Sequence, residues 1–225
     1  MISLYILLFI ISACVLFYSS SRVVDILTGI AKFLGLREFI LGFFIMAFAS
    51  SLPNLFTGIN SALQGIPQLS FGDIIGGNVI DLTLVVALAV LFSSQALPAE
   101  SRMVQKSAMF CGAIAVFPLF LVFDGTLSRA DGVILILSFF VYAGWLFGRS
   151  DRFKKNYKNI TKSEKKQLNL RHFFINILKL SFFLVILFFA TNFMVKSVKE
   201  FSSIFSMSLP LLGILIVGAS NCLPE

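Results

Sequence analysis

Charge is scarce in this chain: Asp, Glu, Lys and Arg make up 13% of its 225 residues, against 58% hydrophobic. A soluble domain carries about a quarter charged residues. The shortage excludes a disordered chain, a collagen-like chain and an ordinary cytosolic enzyme. There is a single His, His172, which reads as a polar residue at a membrane interface. The three cysteines, Cys14, Cys111 and Cys222, are odd in number, lie in apolar runs and lack metal-ligand spacing. Neither a disulfide framework nor a zinc site is indicated, and buried reduced thiols are expected. What the chain has instead is apolar bulk, with 27 Phe and a mean hydropathy of +0.95. These values describe a polytopic membrane protein.

The net charge of +7 has one source. Residues 149–171 hold nine Lys/Arg and two acids, Asp151 and Glu164, and the remaining bases and acids balance. No aromatic platform is interleaved with these bases, so nucleic-acid binding is not expected. In a membrane protein such a segment reads as a cytoplasmic loop. It is too short for a folded regulatory domain, and its bases are expected mainly to set topology, with anionic lipid head groups as a further partner.

Apolar runs predict spans over residues 2–18, 39–63, 71–92, 107–123, 132–147 and 173–195, with a last run over 207–223. Several approach the roughly 20 residues that a bilayer needs. The first run lacks a basic start. Although Ile11-Ser12-Ala13-Cys14 faintly resembles a lipoprotein cleavage box, a retained helix is expected. With the basic loop inside, 14 loop bases lie inside and three outside. That split puts the N-terminus outside and residues 149–171 in the cytoplasm. Five spans precede the loop, so a second similar set would enter inverted, as in many secondary transporters. A second set is visible at an offset of 171: Leu41, Gly42, Ile45, Leu52 and Pro53 recur as Leu212, Gly213, Ile216, Leu223 and Pro224.

Two runs carry polar chemistry. In the second, Ser50-Ser51-Leu52-Pro53-Asn54 lies mid-span. Pro53 has no N–H, so the Ala49 carbonyl loses its helical donor and the helix kinks. Freed carbonyls with Ser and Asn side chains are oxygen ligands at membrane depth. In the third, Gly72-Asp73-Ile74-Ile75-Gly76-Gly77-Asn78-Val79-Ile80-Asp81 puts Asp73, Gly77 and Asp81 on one helix face, with Asn78 close to it. The glycines allow close approach by another helix. Asp73, near the start of the span, is expected to be a helix N-cap. Asp81 precedes an almost wholly apolar run, where a carboxylate costs about 2.5–3.5 kcal/mol even on lenient scales. A cation, proton or partner must offset that cost, and the neighbouring spans offer no Lys or Arg. Asn54, Asp81 and Glu225, with Ser50, Ser51 and local carbonyls such as those of Ala49 and Ser50, make an all-oxygen set suited to Ca²⁺ or Na⁺. An intramembrane aspartyl enzyme would need two carboxylates sharing a site. Asp81 has no second Asp on an adjacent complete span, so a non-enzyme without cofactor is expected.

These motifs resemble the cation/Ca²⁺ exchanger superfamily, the Na⁺/Ca²⁺ exchangers and their prokaryotic relatives. The resemblance rests on residues 49–54, 72–81 and 218–225, and on the link at 124–132. It implies an all-α membrane protein of inverted five-helix repeats, with about six full transmembrane helices and the start of a seventh. It divides the chain into a first membrane domain at 1–148 with its repeat motif at 42–92, a basic linker at 149–171, and the start of a second, inverted domain at 172–225. Helices 8–10 are then not among these residues, and the chain is expected to be a fragment or a truncated product. By resemblance Asn54 and Glu225 take the two central glutamate positions. Ser50 and Asn221 take the paired Thr/Ser positions, Gly77 a usual Ser position, and Asp81 the Asn/Asp position. The implied activity is antiport of Ca²⁺ and Na⁺ (or H⁺) by alternating access, in a cell inner membrane. Asn54 removes a carboxylate that Asp81 restores, so a cation site with altered geometry is expected. Alternatives are a monovalent-only Na⁺/H⁺ relative and a non-transporting family member.

Overall fold

The structure is a computed structural model, and it describes residues 2–33, 45–93, 102–148 and 170–222. The described residues are mainly helical, with short turns between helices and no strand among them. Among the described residues three helical segments are long and apolar enough to cross a membrane, Ile2–Ala31, Pro67–Phe92 and Phe173–Phe205, and two shorter apolar ones are Gly112–Asp124 and Leu209–Cys222. The chain divides into two compact units, Met1–Phe92 with Glu164–Glu225, and Ser93–Ser163.

In the first unit, α1 (Ile2–Phe33) and α8 (Leu170–Phe205) pack along each other. Ring contacts pair Phe9 with Phe201, Tyr18 with Phe183 and Phe33 with Phe173, so the two helices run antiparallel. Buried polar groups of α1 are satisfied locally where they can be: Ser19 Oγ donates to the Val15 carbonyl at 2.6 Å. Such back-bonding lets a hydroxyl sit in an apolar setting. The last-mentioned helix, α8, extends well beyond the expected 173–195, because Lys196, Lys199 and Glu200 continue it rather than end it. Ser206 then turns the chain at φ +53.

The expected span 39–63 is broken, as Pro53 predicts. Its described part forms α2 (Met46–Ser50) and α3 (Leu52–Leu63), with Ser51 between them. A tight reversal follows. Gly65 sits at φ +72, its N–H donates to Ala62 O, and the Ile66 N–H donates to Ser61 O. This is a Schellman closure, which needs the left-handed residue that glycine provides. Pro67 then opens α4 (Pro67–Ile80). A π-helical turn (Asp81–Val85) joins it to α5 (Val86–Phe92). The final span has the same plan: α9 (Leu209–Leu212), a π-helical turn (Gly213–Val217) and α10 (Gly218–Cys222).

In the second unit, α6 (Arg102–Leu121) and α7 (Arg129–Gly148) are joined by a 3₁₀ turn and a short loop. Ser128 and Asp131 cap α7 reciprocally: the Ser128 N–H and hydroxyl donate to Asp131 Oδ2 at 2.8 and 2.7 Å, and the Asp131 N–H donates to Ser128 Oγ at 3.3 Å. This is the capping-box arrangement.

Two expectations are corrected. Asp73 is no N-cap, since α4 begins six residues earlier at Pro67 and Asp73 is fully buried. Cys14 is exposed on α1 rather than buried, while Cys222 is buried and donates to Gly77 O. The side chains of Cys111 and His172, the basic segment 149–169 and Glu225 lie outside the described residues.

Candidate ion-binding site

Glycine builds this region by letting two backbones touch. Along α4, a Cβ on Gly72 would overlap the Pro210 carbonyl, and one on Gly76 would lie 2.5 Å from Ile214 Cα. From the other side, a Cβ on Gly213 would lie 2.8 Å from the Asp73 nitrogen, and one on Gly218 2.8 Å from the Gly77 nitrogen. Four hydrogens occupy positions where side chains would hold the helices apart. This is the small-residue interface of membrane helices, here between α4 and the 209–222 segment.

At that crossing three polar side chains from three elements meet. Asn221 Nδ2 on α10 donates to Asp73 Oδ1 and Oδ2 on α4, both at 3.0 Å, and to Thr57 Oγ1 on α3 at 3.3 Å. Asp73 and Thr57 are fully buried and Asn221 is 2% exposed. Leu52–Leu63, Pro67–Ile80 and Leu209–Cys222 contain no Lys or Arg, and among the described residues the Asp73 carboxyl accepts hydrogen bonds from Asn221. Asp73 and Thr57 belong to this cluster and were not expected from the sequence. Only the run of glycines around Asp73 hinted that it would be covered.

The other expected residues are placed as follows. Ala49 is buried. Ser50 and Ser51 hydroxyls donate to the Ala47 carbonyl at 3.1 and 2.9 Å. Asn78 is exposed, and its Nδ2 donates to Ile74 O within its own helix at 2.8 Å. Gly77 is buried against Cys222, whose thiol donates to its carbonyl at 3.5 Å. Asn54 lies in the first turn of α3, and Asp81 opens the π-helical turn after α4; both are half-buried.

Three carbonyl or carboxylate oxygens in this set are buried without a hydrogen-bond donor: Asn54 Oδ1, Asp81 Oδ1 and Asn221 Oδ1. An unpaired buried acceptor costs about 1–3 kcal/mol. Such oxygens are the ligands that hard cations take. Among the described residues no group of three His, Cys, Asp or Glu could hold a metal, so any cation site here draws on amide and backbone oxygens as well as carboxylates.

Comparison with known proteins gives the family. A family profile described as "Sodium/calcium exchanger protein" matches residues 4–148. The chain is 27% identical over 137 residues to "Uncharacterized membrane protein MJ0091" of Methanocaldococcus jannaschii, covering 61% of this chain and 44% of that protein. It is 23% identical over 225 residues to "Inner membrane protein YrbG" of Escherichia coli, covering 97% of this chain and 67% of that protein. It is 28% identical over 120 residues to "Sodium/calcium exchanger MaX1" of Methanosarcina acetivorans, covering 52% of this chain and 33% of that protein. The chain thus spans between a third and two thirds of the length of these relatives. No solved structure matches it. With more than half of its residues matched, this multi-pass membrane protein belongs to the sodium/calcium exchanger family.

Proposed function

We propose that the protein works as a secondary active cation antiporter of the Na⁺/Ca²⁺ exchanger type, exchanging ions by alternating access around an all-oxygen site. The observation that carries this reading is the set of buried, donorless oxygens on Asn54, Asp81 and Asn221. They lie beside a proline break and a π-helical turn, where helical carbonyls are released. Asp81 supplies formal charge, Asn54 and Asn221 neutral oxygens. Ser50, Ser51, Gly77, Asn78, Glu225 and the carbonyls of Ala49 and Ser50 complete the candidate set. The name of MaX1 as a sodium/calcium exchanger, and that of CaxA from Alkalimonas amylolytica as a putative antiporter, support the same reading. A bound cation would offset the cost of leaving three acceptors unpaired. The protein would then be a transporter and not an enzyme, with its basic 149–171 segment in the cytoplasm and its N-terminus outside an inner membrane.

Asn54 favours a second reading, a relative that carries monovalent ions only. A divalent cation is held by carboxylate charge, and an amide supplies none. The test is ion flux into membrane vesicles containing the protein, with Ca²⁺, Na⁺ and pH gradients imposed separately. Exchange of Ca²⁺ for Na⁺ or H⁺ supports the first reading, and Na⁺/H⁺ exchange indifferent to Ca²⁺ supports the second. Asp81→Ala is expected to abolish either flux, and full flux in that variant would sink both.

A further inference from the structure

Asn221 is an expected ligand whose amide is held by side chains of two other helices, Asp73 on α4 and Thr57 on α3. The two ends of an Asn amide have nearly the same shape, and hydrogen-bond partners decide which points where. Beside Asp73 the Asn221 NH₂ faces both carboxyl oxygens, each at 3.0 Å. Turning the amide over would set Oδ1 against both of them. Thr57 Oγ1, at 3.3 Å, accepts from the same nitrogen. Oδ1 is therefore directed away from Asp73, and it is buried with no donor.

We propose that Asp73 is a positioning residue for the cation site, fixing the Asn221 amide so that Oδ1 is presented as a ligand. The inference rests on the antiport reading above. Both Asp73 oxygens accept from the Asn221 amide, and orientation of that amide is the part proposed for it. It cannot withdraw from that part, because the interlocked backbones hold it in place: a Cβ on Gly213 would meet the Asp73 nitrogen at 2.8 Å, and one on Gly218 the Asp73 carbonyl oxygen at 3.2 Å. Carboxylates that orient metal ligands from behind have the same relation to their sites, and losing one costs about 10–100-fold in metal affinity.

The experiment uses the full chain purified in detergent. CaCl₂ and NaCl are titrated separately, and binding is read from the rise in melting temperature. The side-chain ¹⁵N–¹H signals of Asn221 are followed in parallel. Asp73→Ala removes the acceptor and is expected to weaken binding about 10–100-fold. Asp73→Asn keeps the shape but lets the amide take both orientations. A competent fraction of about half weakens binding about twofold by population alone, and the lost charge adds to this. The cation-free melting temperature of Asp73→Asn is expected to stay near that of the wild type, while its Asn221 signal splits into two sets. Variants that bind as tightly as the wild type, or a single unchanged Asn221 signal in Asp73→Asn, would overturn the positioning role and leave the antiport reading intact. A wild type that binds neither ion would overturn both. If Asp73→Ala does not fold, Asp73→Asn decides alone.

Discussion

The Cys222 thiol donates to the Gly77 carbonyl, and a Cβ added at Gly77 would lie 3.4 Å from its sulfur, an ordinary contact. One residue earlier, a Cβ on Gly76 would sit 2.5 Å from Ile214 Cα. These adjacent glycines should respond oppositely to the same methyl group. Gly76→Ala must push two helix backbones apart and is expected to cost about 1–3 kcal/mol or more, as overpacking does. Gly77→Ala meets only the sulfur and gains helix propensity, so it is expected to be neutral or to stabilise by up to about 1 kcal/mol. Melting temperatures in detergent compare the two, and equal losses would contradict the close crossing.

Asn60 and Ser61 make a second such pair. Asn60 Nδ2 donates to Phe188 O at 3.1 Å and Thr191 Oγ1 at 2.8 Å, and its Oδ1 accepts from Asn192 Nδ2 at 2.9 Å. Ser61 is equally buried, but its hydroxyl has no partner. At the average of roughly 0.6 kcal/mol for an interhelical hydrogen bond in a membrane, Asn60→Leu is expected to cost about 2 kcal/mol. Ser61→Ala removes an unsatisfied group and should be neutral or mildly stabilising. Unfolding of each variant in mixed micelles by a denaturing detergent measures the difference.

Much of the helical plan was legible because apolar length is a strong signal in a chain so poor in charge. The break at Ser51 followed from Pro53, and the touching helices from Gly72 and Gly76. Asp73 was not legible as the centre of a buried cluster. It stands near the start of an apolar run, where a cap is the ordinary expectation, and its partner Asn221 is 148 residues away. The π-helical turns at 81–85 and 213–217 leave no periodicity that a sequence displays. The overrun of α8 to Phe205 was hidden by Lys196, Lys199 and Glu200, which look like a helix end. Instead the helix continues, and Lys199 Nζ reaches the Gln64 carbonyl at 3.4 Å.

The cap of α7 should depend on pH. Donation from the Ser128 hydroxyl, and then from its N–H, holds the exposed Asp131 carboxyl below its ordinary value. A group whose folded pKa is depressed stabilises the fold above its unfolded pKa, about 3.9 for Asp, and that contribution fades as pH falls through the lower folded value. The first turn of α7 is therefore expected to fray selectively under acid, seen as faster amide hydrogen exchange at Ser128 and Asp131 after correction for intrinsic rates. Ser128→Ala should give the same fraying at neutral pH. Acid-insensitive exchange at these amides would mean that the carboxylate does not hold the cap.

Asn54→Glu tests the charge balance of the proposed site most directly. Asn54 Oδ1 is buried and accepts from no donor, so a longer acidic side chain at this position adds charge without breaking a hydrogen bond of that oxygen. Calcium affinity rises with the number of ligating carboxylates. The variant is expected to bind Ca²⁺ about tenfold more tightly or better on that basis, with a smaller gain for Na⁺, since the added attraction scales with ion charge. Titration of both ions against the melting temperature of wild type and variant gives the two ratios. A gain confined to Ca²⁺, lost again on combination with Asp81→Ala, would mean that Asn54 and Asp81 face one ion. An unchanged Ca²⁺ affinity would mean that Asn54 lies outside the site.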